Sequence, residues 1–161
     1  MIRPTVWLNY SQSVVVEFEE MQAIVGTPFP GGTYTVERWE NVALHDVVEH
    51  PLDPTGIVHP IGLFHVPLAA AGWTYREIFE ICRAESDEAV RAGEYTWVLA
   101  APMREGVAYD VSGEFTEVER KRGKRASVFD KVTFRLELVE HESGRLAAEV
   151  TNSWLFLRSE S

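Results

Sequence analysis

The second half of the chain consists of long segments in which apolar and polar residues alternate. Successive side chains of a strand point to opposite faces, so this period predicts a sheet with one buried and one solvated face. Polar turns containing Gly123 or Gly144 join the later segments. The pattern predicts an antiparallel β-meander over residues 95–158. Its clearest alternating runs are 95–101, 109–116, 132–138 and 146–156.

The first half has helical spacing instead. After a short helix over 19–25 and a Pro/Gly-rich loop over 27–33, Thr35 can cap a helix over residues 36–48. We expect that helix to place its apolar residues on one face, because they recur at helical intervals. These residues are Val36, Trp39, Val42 (or Ala43) and Val47.

A second apolar stretch covers residues 57–71 and ends at Gly72. Thr74 and Glu77 then form a capping-box pattern, in which hydroxyl and carboxylate satisfy the free amides at a helix start. Two consecutive helical pieces, or one helix broken at Gly72, therefore follow the first helix. The helical part of the chain spans 35–92.

Helices followed by a long-stranded meander indicate an α+β fold. Long strands twist, so the sheet needs an apolar element to wrap around, and the only candidate is the segment 57–82. We predict one domain over 1–161, with an extension at 1–25 and a curled antiparallel sheet wrapped around a long central helix.

Composition excludes several classes of protein. The net charge of −10 argues against nucleic acid or an anionic membrane as the main partner. No apolar run approaches the roughly 20 residues that span a bilayer. The first residues lack the layout of a signal peptide. A single cysteine, Cys82, fits a reducing compartment, so we expect a cytoplasmic protein without a disulfide.

Three motifs resemble one known family. Pro102-Met-Arg-Glu-Gly-Val107, the strand 150–158 and Gly56-Ile-Val-His-Pro-Ile-Gly62 are similar to motifs of the MaoC-like branch of the hot-dog superfamily. The resemblance covers about residues 24–158. It implies a hot-dog fold and the hydration or dehydration of acyl thioesters. Coenzyme A or carrier pantetheine would then be part of the substrate, and no separate cofactor is expected.

The catalytic loop of that family reads G-D-x-N-P-L-H. In this chain the pattern falls on residues 48–53, where Pro51-Leu52 is retained. Val48 stands at the aspartate position, His50 at the asparagine position and Asp53 at the histidine position. The resemblance therefore implies a hydratase or dehydratase with a degenerate catalytic loop.

The candidate catalytic residues are His50, Asp53 and His59. An imidazole beside a carboxylate is a workable acid–base pair. We expect Asp53 to position or activate water, one histidine to exchange the proton, and amides at the helix start near His59 to hold the thioester oxygen. The alternative is that His50 and Asp53 only shape a proline-rich turn and His59 only begins a helix.

Two further histidines receive other interpretations. His65 lies in the apolar stretch 63–68, so we expect a core residue or one that lines the substrate pocket. His45 shares a polar helical surface with Asn41 and Glu49, which predicts exposure. Since the histidines lack H-x-H or H-x-x-x-H spacing, no metal site is expected.

A basic turn holds five of the fifteen basic residues. It can bind the phosphates of coenzyme A or of a carrier arm, or it can be a solvated hairpin turn. Nearby, Asp130 falls in an apolar alternation, so we expect it to face an opening or to mark a bulge. The turn residues are Arg120, Lys121, Arg122, Lys124 and Arg125.

Three functions remain open. The first is an enoyl-thioester hydratase or hydroxyacyl dehydratase. The second is a non-catalytic subunit that pairs with an active hot-dog partner, and the third is a thioesterase that uses Asp53. An exposed sheet edge predicts a homodimer or a hetero-oligomer with another hot-dog subunit.

Overall fold

A computed structural model describes residues 16–124 and 128–159. Five antiparallel strands form one sheet in the order β1-β3-β4-β5-β2, so the predicted meander is confirmed for β3 to β5, while β2 lies at the far edge beside β5. The sheet also contains a short strand in a segment that we had partly assigned to a loop. The strands are β1 Gly32–Thr35, β2 Val90–Leu99, β3 Ala108–Arg122, β4 Val128–Glu140 and β5 Leu146–Arg158.

The helical elements are all short. They are α1 Phe18–Gln22, α2 Arg38–Val47, a 3₁₀ helix at Pro60–Phe64, α3 Val66–Ala69, α4 Tyr75–Ile81 and a 3₁₀ turn at Asp87–Ala89. The predicted helical part was too long at its end, because β2 already begins at Val90, opposite Phe156. α4 stops early, since Arg83 takes a positive φ of 52°.

The predicted cap at Thr35 was wrong. Thr35 pairs with Ala108 in the sheet and so belongs to β1. α2 is capped instead by Glu37, whose side chain exchanges hydrogen bonds with the start of the helix in a capping box with Glu40.

The centre of the fold is the predicted apolar segment, but it is not one long helix. A 3₁₀ helix leads into α3, with Pro67 in the first turn of α3. Gly72 then turns the chain with a φ of +87° and lies against Pro30 and Gly31. The α+β class and the curled sheet are confirmed, while the long central helix is replaced by short pieces on either side of Gly72.

One apolar core lies between the sheet and these helical pieces. Phe29, Phe115 and Phe134 pack with ring centroids 4.9–6.1 Å apart, and Trp154 lies 5.1 Å from Phe134. The alternating residues of β3, β4 and β5 supply most of the buried face, as the period of two predicts.

Asp130 is fully buried, which corrects the expectation of an opening or a bulge. It pairs with Arg120 in regular register, and its carboxylate accepts hydrogen bonds from Arg120 and Arg158 at 2.7–3.0 Å. Arg158 also donates to the carbonyls of Cys82 and Arg83 after α4. Two guanidinium groups therefore make burial of the carboxylate possible and join three strands to α4.

The central segment contacts both outer strands of the sheet. Phe64 lies 4.9 Å from Tyr95 of β2, and His65 lies 5.9 Å from Tyr34 of β1, measured between ring centroids. Two neighbouring residues thus contact the two edge strands of the sheet. Among the described residues, none of the helices has both the length and the apolar composition that crossing a membrane requires.

Candidate acid–base site

Helix α2 turns a polar side toward the interior of the protein. It buries Glu40, Asn41 and His45, while Trp39 and Val47 are 71% and 78% exposed. The predicted exposure of His45 was therefore wrong, and the face that Trp39 and Val47 share is exposed. The physical reason is that the buried face of α2 meets polar partners from β1, the segment 50–65 and the turn before β3.

The turn before β3 fixes α2 against the start of the central segment. The carboxylate of Glu105 accepts hydrogen bonds from Arg38 at 2.6 Å and from Asn41 at 2.9 Å. The amide of Val58 donates to the carbonyl of Met103 at 2.9 Å. The motif 102–107 therefore positions the residue that follows Val58, which is His59.

Three imidazoles meet at this point. The ring centroids of His45, His50 and His59 lie 5.4–5.8 Å apart in all three pairs. We call these residues the histidine cluster. The structure thus brings together two predicted catalytic residues, His50 and His59, and adds His45.

Backbone partners assign the proton on each ring. A carbonyl only accepts, so His45 donates through Nδ1–H to Asn41 and His50 through Nδ1–H to Pro51, both at 2.9 Å. His59 is opposite, because its Nδ1 accepts from the amide of Ile61 at 3.1 Å. Neutral His59 therefore carries its proton on Nε2, whereas neutral His45 and His50 leave Nε2 unprotonated.

The charge state of His59 follows from its surroundings. Burial, followed by the nearby charges of His45 and His50, lowers the pKa of His59 below 6.5. The ring is therefore neutral near pH 7. A neutral imidazole with Nε2–H is a hydrogen-bond donor at that nitrogen rather than a base.

The described residues contain no group of three histidine, cysteine or carboxylate side chains arranged to hold a metal ion. His59 illustrates why the histidine cluster does not qualify. A ligand that binds metal through Nε2 keeps its proton on Nδ1 and donates it outward, whereas Nδ1 of His59 accepts.

Asp53 lies in the turn between His50 and the central segment. Its carboxylate accepts hydrogen bonds from the hydroxyl and, at 2.7 Å, the amide of Thr55. These bonds lower the pKa of Asp53 and so favour the ionised form. The contacts are those of a turn, as in the structural alternative, and the catalytic role of Asp53 stays a prediction.

A second polar group joins β1, α2 and the central segment. The phenol of Tyr34 donates to Oε1 of Glu40 at 2.5 Å and lies 3.3 Å from Nε2 of His65. Nε2 of His65 is 3.6 Å from the same carboxylate oxygen. Burial and then Glu40 raise the pKa of Tyr34 to about 12, so the phenol keeps its proton. His65 is half-exposed here and does not lie in the core.

The basic turn lies at the other end of the sheet. Arg120 is bound to Asp130 and to the carbonyl of Val16, and Lys121 is paired with Glu119 at 3.0 Å. About 40 Å of β3 separates Arg122 from Tyr109, the residue opposite Tyr34. Phosphates held by the turn would therefore lie far from both polar groups of the same chain. Arg122 ends β3, Lys124 is exposed, and Arg125 lies outside the described residues.

Sequence reasoning missed Tyr34, Glu40 and His45. Glu40, Asn41 and His45 do recur on one side of α2, and this polar period was a usable signal. The apolar residues Trp39 and Val47 on the opposite side of the helix are exposed. Tyr34 gave no comparable signal, because its position depends on the pairing of β1 with β3.

Sequence comparisons give no match, either to a known family or to a curated protein. Solved structures do match. A monoamine oxidase regulatory protein from Archaeoglobus superposes with a TM-score of 0.61 at 17% identity, covering 91% of this chain and 97% of that one. The HadBC (3R)-hydroxyacyl-ACP dehydratase complex from Mycobacterium tuberculosis gives 0.59 at 16% identity, covering 82% and 96%.

A protein described as a MaoC-like dehydratase gives a TM-score of 0.62 at 14% identity, covering 86% of this chain and 44% of its own. This chain has the hot-dog fold. This is the fold that the resemblance of the three motifs implied. At sequence identities of 14–17%, the similarity between this chain and these solved structures shows a shared fold.

Proposed function

We propose that this hot-dog protein hydrates enoyl thioesters and dehydrates hydroxyacyl thioesters with its histidine cluster. One observation carries the proposal, namely the opposite tautomers of His50 and His59. One ring offers an unprotonated nitrogen, and the other offers N–H, 5.4 Å away between ring centroids. A base and a hydrogen-bond donor are the two groups that this reaction needs.

In the hydration direction, Nε2 of His50 takes a proton from water as the water oxygen bonds to the β-carbon. The electron pair of the double bond moves toward the thioester oxygen, which accepts a hydrogen bond from Nε2–H of His59. The imidazolium of His50 then returns the proton to the α-carbon. Neutral imidazole can polarise a carbonyl in this way, and dehydration follows the same steps in reverse.

The donor role belongs to His59 rather than to the helix-start amides that we expected. The amide of Ile61 donates to Nδ1 of His59, and the amide of Gly62 donates to the carbonyl of His59. Pro60 has no amide proton. His59 therefore replaces these amides as the group that faces the substrate.

The test is hydration of a short and a long enoyl-CoA by wild type, His50→Gln, His59→Gln and Asp53→Asn, with folding confirmed for each. We expect His50→Gln to lose roughly 10²–10⁴-fold in rate, as for removal of a general base. His59→Gln should lose about 10²–10³-fold, as for removal of an oxyanion donor. Asp53→Asn should stay within a few-fold of wild type if it only shapes the turn.

His141→Gln is the matched control, because His141 is exposed in the turn that follows β4 and is hydrogen-bonded to Asp110. It should leave the hydration rate unchanged. A wild type that is inert alone and with other hot-dog subunits would contradict the enzyme proposal.

The second candidate, a non-catalytic subunit, is favoured by the outer surface of α2. Trp39, Ala43 and Val47 recur there at intervals of four and are exposed. The fold neighbour HadBC is described as a complex, which supports a second hot-dog chain as the partner. In that case activity would appear only with the partner and would survive loss of His50 and His59.

The alternative of a thioesterase that uses Asp53 has less support. The hydrogen bonds from Thr55 lower the pKa of Asp53 and so make its carboxylate a weak base. A coenzyme A or carrier thioester as substrate and a cytoplasmic location remain parts of the proposal. In this proposal the basic turn binds the phosphates of a substrate whose acyl group lies in the site of a partner subunit.

A further inference from the structure

His65, Tyr34 and Glu40 form a chain of hydrogen bonds in which each donor points toward Glu40. Glu40 accepts at both carboxylate oxygens, from the amide of Glu37 at 3.2 Å and from the phenol of Tyr34 at 2.5 Å. Since the single proton of the phenol goes to Glu40, the phenol oxygen can only accept from His65. Nε2 of His65 therefore carries a proton, and Nδ1 of the neutral ring is unprotonated.

The chain runs from the interior to the surface. The side chain of Glu40 is 11% exposed, whereas that of His65 is 56% exposed. Next to His65, Phe64 is also exposed and offers an apolar surface for an acyl group. An accessible imidazole that a buried carboxylate orients through a phenol can act as a general base toward water.

We propose that His65, positioned by Tyr34 and Glu40, is the base of a second activity, the hydrolysis of acyl esters and thioesters. Nδ1 takes a proton from water, and the water oxygen bonds to the acyl carbon. The bond from that carbon to sulfur breaks, and the leaving thiolate takes the proton from Nδ1. The products are a carboxylic acid and a thiol, and the ring returns to its first state.

In this reaction His65 is the catalytic residue, and Tyr34 and Glu40 are positioning residues. Tyr34 fixes the tautomer of His65. The carboxylate of Glu40, 3.6 Å from Nε2, stabilises the imidazolium that forms when water is deprotonated. The thioester as substrate class rests on the proposed function, while the residues and the bond that breaks are different.

The experiment separates the two activities with the same proteins. Thiol release from saturated acyl-CoA and nitrophenol release from a nitrophenyl acyl ester report hydrolysis, and loss of the enoyl-CoA double bond reports hydration. We expect His65→Gln to lose about 10²-fold or more in both hydrolysis assays. The ratio of the hydrolysis rate to the hydration rate should therefore fall in that variant and rise in His50→Gln.

Tyr34→Phe keeps the ring and removes only the hydroxyl. We expect its kcat for hydrolysis to fall about 10-fold with KM unchanged, because the variant loses orientation rather than binding. Tyr75→Phe is the matched control, since Tyr75 is exposed and packs on Trp154. It should hydrolyse both esters at the wild-type rate.

Nitrogen-15 NMR of histidine provides a readout that needs no substrate. Neutral His65 should carry its proton on Nε2 in wild type and lose that single-tautomer signature in Tyr34→Phe. A proton on Nδ1 in wild type would overturn the proposal. So would equal hydrolysis by His65→Gln and wild type, or a wild type that hydrolyses neither ester. Failure of hydration alone would overturn only the proposed function.

Discussion

Single backbone contacts decide what each imidazole can do. His50 and His59 are only nine positions apart, yet one donates from Nδ1 to a carbonyl and the other accepts at Nδ1 from an amide. The sequence showed that both lie near the start of the central segment. It could not show their tautomers, because these depend on the conformation of the turns at Pro51 and Ile61.

The lowered pKa of His59 predicts how stability depends on pH. Between that pKa and the ordinary value of 6.5, the unfolded chain binds more protons at this residue than the folded chain. The free energy of unfolding therefore rises with pH in this window and falls as the pH drops below about 6.5. We expect urea midpoints to decrease more between pH 7.5 and 5.5 in wild type than in His59→Asn.

Asparagine at this position keeps an acceptor for the amide of Ile61, so the variant tests titration rather than loss of the cap. His141→Asn is the control for removing a histidine elsewhere and should keep the wild-type dependence. Equal pH dependence in wild type and His59→Asn would contradict the assignment.

Elements differed in how well the sequence predicted them. The strands β2 to β5 were anticipated because alternation over many residues is a strong signal, whereas four-residue β1 was partly assigned to a loop. α2 was correctly predicted as a helix, but the exposure predicted for His45 was wrong. Amphipathic spacing identifies two faces, and the choice of the inner one depends on partners such as Tyr34, Glu105 and His59.

Gly72 separates the helical pieces at the centre, and replacing it should be costly. A Cβ there would lie 2.7 Å from Cβ of Pro30 and 2.8 Å from the carbonyl oxygen of Gly31, at a φ of +87°. Gly26 has a similar φ of +82° with nothing within 4 Å. Gly26→Ala should therefore cost only the backbone strain, about 1–2 kcal/mol.

Gly72→Ala should cost that amount plus about 1–3 kcal/mol for the overlap. Chemical denaturation of both variants measures the difference. Equal destabilisation would mean that the loop at Pro30 moves away at little cost, and that Gly72 is needed for its backbone conformation alone.

At the scale of the whole molecule, two apolar surfaces lack a partner within the described residues. One is the outer surface of α2, with Trp39 and Val47, and the other is the end of the edge strand β2, with Val98 and Leu99. Exposed apolar surface and unpaired strand edges both favour association. We therefore expect the protein to assemble with itself or with another hot-dog chain.

Light scattering tests this expectation. The mass of wild type should exceed 18.2 kDa, alone or with its partner, and the double variant Trp39→Arg, Val47→Lys should return to the single-chain mass. Val25→Lys changes an exposed valine outside α2 and serves as control. A wild-type mass near that of one chain at all concentrations, with every candidate partner, would contradict the prediction, whereas an unchanged double variant would assign assembly to β2.

The contacts of Phe64 and His65 with opposite outer strands have a further consequence. Because the two residues are neighbours, local unfolding of the central segment would remove a packing contact from β1 and from β2 in a single event. Both outer strands would then be less well held at the same time, in a state that still retains β3, β4 and β5. The species most prone to aggregation is therefore a nearly native one, opened at this segment, and a ligand that holds the segment in place would also act as a protectant during storage and heating.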